Sequence, residues 1–255
     1  MLSRLGLPAP ALAAFVHSVL AFALLAQAYA AGSPMVELDT WLANALHANL
    51  VPSATTAFAA VTTLGSTLVL ALLAATAAAY LLRRERGRDA ALVVVAFVGA
   101  QLLTWILKAT FERPRPSFGD PVATAGWFSF PSGHALSSIA LYGALAYLLA
   151  GAVRSRRARV AGFAGVALFV AAIGFSRLYL GVHYLTDVLA GYSAGLAWLL
   201  FAIAVLRVRM RPHPGRRATS SAVSGGRPRS RAFACLLRHG QRHAPVCLRA
   251  HLRLL

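Results

Sequence analysis

The stretch 176–187, SRLYLGVHYLTD, sets Ser176, Arg177, His183 and Asp187 into a chain that is otherwise strongly apolar. Asp187 is the only acid between Asp120 and the C-terminus. His183 precedes it by four residues, and on a helix that spacing puts imidazole and carboxylate on one face. A carboxylate holding one ring nitrogen fixes the tautomer and frees the other nitrogen for chemistry. Taken alone, the pair reads first as a structural ion pair capping a helix, which is the commoner role. Its company shifts that reading. Lys108, Arg115 and Arg177 supply positive charge, and Ser132-Gly133-His134 opens an apolar run. Cations together with backbone N–H groups at a helix start are what phosphate binding requires. Gly133 would let a phosphate approach the backbone, while Ser132 can cap the helix or donate its hydroxyl. Snorkelling of each Lys or Arg to lipid headgroups explains a cation but not the histidines beside it. Of 25 basic side chains, Lys108 is the single lysine, a hint that its position needs an ammonium.

The elements that carry these residues are membrane spans. The 255 residues are 58% hydrophobic and 13% charged, with mean hydropathy +0.65. A soluble domain carries about 25% charged residues, so an all-α polytopic membrane protein is expected. Apolar runs occupy residues 11–31, 54–82, 90–107, 135–153, 160–175 and 188–206, of which the fifth is short for a span. The first could be a signal peptide, since Ala28-Tyr29-Ala30 fits small-x-small cleavage, but its length favours a retained span. Residues 32–52 mix Glu37, Asp39, Trp41, Asn44 and His47 with apolar positions and read as an interfacial amphipathic helix. Arginine clusters at 83–88, 154–159 and 207–211 mark every second connection, which makes them and both termini cytoplasmic by the positive-inside rule. Every motif residue then falls at a span end on the extracytoplasmic side.

A net charge of +18 would suggest nucleic acid if it lined a folded surface, but the basic residues sit between apolar runs and in a tail. Residues 1–210 read as one six-span domain and 211–255 as a basic, disordered cytoplasmic tail that would bind anionic lipid. Cys235, His239, His243 and Cys247 in that tail have zinc-ligand chemistry. Spaced four apart on one helix side and interrupted by Pro245, they cannot easily surround one ion.

Together, Lys108-x6-Arg115-Pro116, Pro131-Ser132-Gly133-His134 and Ser176-Arg177-x5-His183-x3-Asp187 resemble the three-part signature of the type 2 phosphatidic acid phosphatase (PAP2) superfamily, which includes the vanadium haloperoxidases. The resemblance covers residues 90–206. It implies a PAP2/haloperoxidase-like helical core and a lipid phosphatase with no metal and no cofactor. His183 is then the nucleophile, Asp187 its orienting partner and His134 the general acid and base. Lys108, Arg115, Arg177, Ser132 and Gly133 would bind phosphate. A haloperoxidase is disfavoured by the six apolar runs. Phosphotransfer to an acceptor other than water uses the same residues, and a transporter would instead place its charges within spans. Undecaprenyl diphosphate, phosphatidylglycerophosphate, phosphatidic acid and diacylglycerol diphosphate all fit as substrates, and the oligomeric state is left open.

Overall fold

The computed structural model describes residues 8–208, all of them helix or connecting loop. The tail positions Cys235, His239, His243 and Cys247 lie outside the described residues. Helices α1 (Ala9–Ala30), α2 (Pro34–Ala48), α3 (Pro52–Thr63), α4 (Thr67–Arg83), α5 (Gly87–Phe111), α6 (Gly133–Ala150), α7 (Arg156–Tyr179) and α8 (Leu185–Val208) follow in order. Six segments are long and apolar enough to cross a membrane, with α3 and α4 forming one of them over Pro52–Arg83. Their large apolar residues, such as Leu20, Leu68, Leu102 and Leu168, are exposed, as suits a solvent of lipid. The amphipathic α2 exposes Trp41 and buries Asp39 and Ala43.

Three differences from the hydropathy reading bear on function. The run 54–82 is broken at Leu64-Gly65-Ser66, where Ser66 caps α4 by accepting a hydrogen bond from the Val69 N–H. The fifth run is not short. It is the 24-residue α7, whose last turn contains the buried Ser176 and Arg177. Lys108 likewise belongs to the last turn of α5 and not to the following loop. Hydropathy cuts a span at its first polar residue, whereas these polar groups stay helical because other elements solvate them.

Helix α8 is central and packs on α6, α1 and α5. Its approach to α6 depends on Gly191 and Gly195, a small-xxx-small pair. A Cβ on Gly191 would lie 2.6 Å from the Ser132 carbonyl oxygen, and one on Gly195 would lie 2.5 Å from that of Leu136. Close contact of these backbones brings the start of α6, with His134, beside the start of α8. Phe22 and Ala26 of α1 pack with Phe130 and Ala190, so α1 is built into the same core.

Candidate active site

The ends of α5, α6, α7 and α8 that carry the motifs meet at one end of the bundle. Ser132 caps α6, its hydroxyl accepting from the Ala135 N–H, while its own N–H donates to the Asp187 carbonyl oxygen at 2.9 Å. His183 is not on a helix. It lies in the turn between α7 and α8, two residues before Leu185. Contact with Asp187 survives because Asp187 sits at the third position of α8 and reaches back. Its Oδ2 accepts from the Tyr184 N–H at 2.8 Å and lies 3.3 Å from His183 Nδ1. That is half of a capping box, and it turns the carboxylate toward the preceding turn.

The proton on His183 can be placed from its neighbours. Arg115 Nη1 lies 3.2 Å from Nε2, and a guanidinium can only donate, so Nε2 carries the lone pair. Nδ1 then bears hydrogen and faces Asp187 Oδ2 and, at 3.2 Å, Ser129 Oγ. Ser129 in turn donates to Asp187 Oδ2. Burial pulls the His183 imidazole down to about 3; Asp187 opposes this, and Arg115 and Arg177 add to it. The side chain is therefore neutral with its basic nitrogen turned toward the cations.

Those cations are held by protein carbonyls and hydroxyls. Lys108 Nζ donates to the carbonyl oxygens of Phe128 and, at 3.3 Å, Ser129. Arg115 donates to the carbonyls of Trp127, Val182 and Gly126, stitching the loop 112–132 to the His183 turn. Burial lowers the Arg115 pKa, with Asp187 opposing. Arg177 Nη1 donates to Thr62 Oγ1 at 2.7 Å, and its buried Nε has no hydrogen-bond partner among the described residues. A buried guanidinium N–H without an acceptor costs free energy on the order of 1–3 kcal/mol, which an anion's oxygen would recover. His134, half-buried at the start of α6, lies in the field of Arg177, His183, Arg115 and Lys108. Gly65, at the α3–α4 break, makes room for it, since a Cβ there would be 3.2 Å from His134 Cδ2 and 2.5 Å from Ile173 Cγ2. Gly133 faces Thr104, whose Cγ2 would be 3.0 Å from an added Cβ. All eight residues expected from the motifs thus lie at this end of the bundle. Among the described residues, no group of three or more His, Cys, Asp or Glu is arranged to hold a metal ion.

The three motifs do not include four residues that the structure brings to the site. Ser129 bridges His183 and Asp187, and Thr62 holds Arg177. Arg113, 2% exposed, donates to Asp187 Oδ1 at 2.7 Å and to Asp39 Oδ2 at 2.8 Å. Asp39 was legible: with Val36, Ala43 and Leu46 it follows the 3–4–3 spacing of one helix face, which puts an acid on the buried side. Ser129, Thr62 and Arg113 carry no comparable signal.

The profile of the PAP2 superfamily matches residues 89–211, from the start of α5 past the end of α8. The segment from α5 to α8, just under half of the chain, is thus PAP2-superfamily sequence. Phosphatidylglycerophosphatase B of Bacillus subtilis is 40% identical over 116 residues, 44% of this chain and 55% of that protein. Decaprenylphosphoryl-5-phosphoribose phosphatase of Mycolicibacterium smegmatis is 40% identical over 89 residues, 34% of this chain and 43% of that protein. The chain thus spans about half the length of these curated relatives. The crystal structure of a transmembrane PAP2-type phosphatidylglycerolphosphate phosphatase from Bacillus subtilis superposes with a TM-score of 0.70 at 28% identity, covering 77% of this chain and 97% of that one. The PAP2 match thus embraces α5 to α8, while Asp39, Thr62 and Gly65 lie before it.

Proposed function

We propose that this chain is a metal-independent membrane phosphatase that cleaves a lipid phosphomonoester or diphosphate through a phosphohistidine on His183. The observation that carries the reading is the buried His183, held by Asp187 at Nδ1 and facing Arg115 Nη1 with Nε2 at 3.2 Å. Nε2 attacks phosphorus as the bond to the lipid oxygen breaks, and that oxygen takes a proton from His134. Asp187 accepts from Nδ1–H and stabilises the positive charge that develops on the ring. Lys108, Arg115, Arg177 and the Ser132-Gly133 backbone stabilise the transferring phosphoryl group. Arg115 can give up its bond to Nε2 and donate to a phosphoryl oxygen instead. In the second step His134 takes a proton from water, the hydroxyl attacks phosphorus, the P–N bond breaks, and neutral His183 returns with inorganic phosphate released.

The relatives' names point to a glycerophospholipid phosphate and a polyprenyl phosphate sugar, so phosphatidylglycerophosphate, phosphatidic acid and undecaprenyl diphosphate are the substrates to offer. The arginine clusters at 83–88 and 154–159 support an extracytoplasmic site and cytoplasmic termini. The test is phosphate release from this panel by protein purified in detergent with EDTA. Activity should persist in EDTA, fall by at least about 10³-fold in His183→Ala, and fall by about 10²–10⁴-fold in His134→Ala. Retained activity in His183→Ala would remove the mechanism. Phosphate appearing on an added alcohol in preference to water would make the enzyme a phosphotransferase.

A further inference from the structure

Among the described residues, the most deeply buried charges form a cluster that backs His183. Asp39, Arg113 and Asp187 are 1%, 2% and 0% exposed, and they belong to α2, the loop after α5, and α8. Arg113 lies between the two carboxylates. Its guanidinium is also flanked by the rings of Tyr29, 4.8 Å from the centroid, and Tyr184, 4.2 Å away. Asp39 accepts from the Thr186 N–H at 3.0 Å and from the Thr186 hydroxyl, and that hydroxyl also accepts from Arg113 Nη1 at 2.7 Å. The two oxygens of Asp187 are thereby divided. Oδ1 faces Arg113, while Oδ2 faces His183, Ser129 and the Tyr184 N–H.

Charge balance gives this layout a consequence for the reaction. A buried guanidinium against one oxygen of Asp187 would cancel most of the charge that the other oxygen offers to His183. Asp39 changes the sum, because two carboxylates against one guanidinium leave one net negative charge. On the other side of His183 lie Arg115 and Arg177, and beside them Lys108, the cations that would engage the phosphate. We propose that Asp39 is a positioning residue for the reaction: it offsets the Arg113 guanidinium so that Asp187 meets His183 with its charge intact. It does not touch the reacting atoms. The inference rests on the reading of His183 as nucleophile, and it assigns to α2, outside the PAP2 match, a part in the chemistry.

The test compares Asp39→Asn with the double variant Asp39→Asn/Arg113→Gln, in detergent, on the best substrate of the panel, with folding monitored by gel filtration and thermal unfolding. The single variant leaves one guanidinium against one carboxylate. Its kcat should fall by about 10–100-fold, the loss seen when an outer partner of an oriented histidine is removed, with KM little changed. The double variant restores one net negative charge and should regain most of that kcat, a non-additivity that loss of a mere anchor would not give. A folded Asp39→Asn enzyme with wild-type kcat would overturn the proposal, as would a double variant slower than the single one. Should the single variant not fold, Asp39→Asn/Arg113→Lys, which keeps the cation, is compared with Asp39→Asn/Arg113→Gln: a kcat about tenfold or more lower with the lysine supports the proposal, and equal rates overturn it. A wild-type protein inactive on the whole panel overturns the phosphatase reading itself, and the inference with it.

Discussion

His183 shows how a few neighbours fix a side chain's chemistry. Arg115 can only donate, so Nε2 must accept, and the proton must sit on Nδ1 opposite Asp187. The same burial has a sign that can be tested. An imidazole in an unfolded chain titrates near about 6.5, whereas that of folded His183 is pulled down to about 3. Between those values the unfolded chain holds a proton that the folded one lacks, so stability is present at neutral pH and is lost as pH falls through this window. The unfolding temperature in detergent should drop from about pH 7 to about pH 4, and the slope should be shallower in His183→Gln. Identical slopes would show that His183 is not buried as a neutral ring. The sequence disclosed His183, Asp187 and their cationic company through type and spacing. Ser129 and Thr62 escaped because a single hydroxyl in an apolar chain has many uses, and only tertiary contact shows which group it holds.

At the scale of elements, hydropathy located the spans but could not divide them. Residues 54–82 are Ala-rich and apolar on average, so hydropathy passes over the break at Leu64-Gly65-Ser66, which makes room for His134, although the cluster 62–67, TTLGST, marks it. The His183–Asp187 contact was expected from one helix face, yet it arises from a turn and the first turn of α8. A four-residue spacing is compatible with both. The packing that joins α6 to α8 makes its own prediction. Gly195→Ala forces a methyl against the Leu136 carbonyl oxygen and Ile139, and should destabilise the protein by about 1–3 kcal/mol. Gly162→Ala in α7 meets nothing within 4 Å and should not. Thermal unfolding of the two variants reads the difference, and an equal effect would mean that close approach of α6 and α8 is not required.

For the whole molecule, alternation of six spans gathers the motif residues at one end and leaves the arginine clusters at 83–88 and 154–159 at the other. With Cys235 and Cys247 replaced by serine, Thr124→Cys in the exposed loop should react with an impermeant maleimide from outside intact cells. Reaction only after the cytoplasm is opened would invert the orientation. The segments before residue 89 then serve the site and not only the bilayer: α2 brings Asp39, α3 brings Thr62, and α1 packs Tyr29 on Phe130 and Arg113. The proposed mechanism turns on one bond between His183 Nε2 and phosphorus. Wild-type protein mixed with a ³²P-labelled lipid phosphate and quenched in alkali within its first turnover should carry label on His183, lost on a chase with unlabelled substrate. Continued turnover with no label on the protein, or with label mapped to another residue, would contradict the phosphohistidine route.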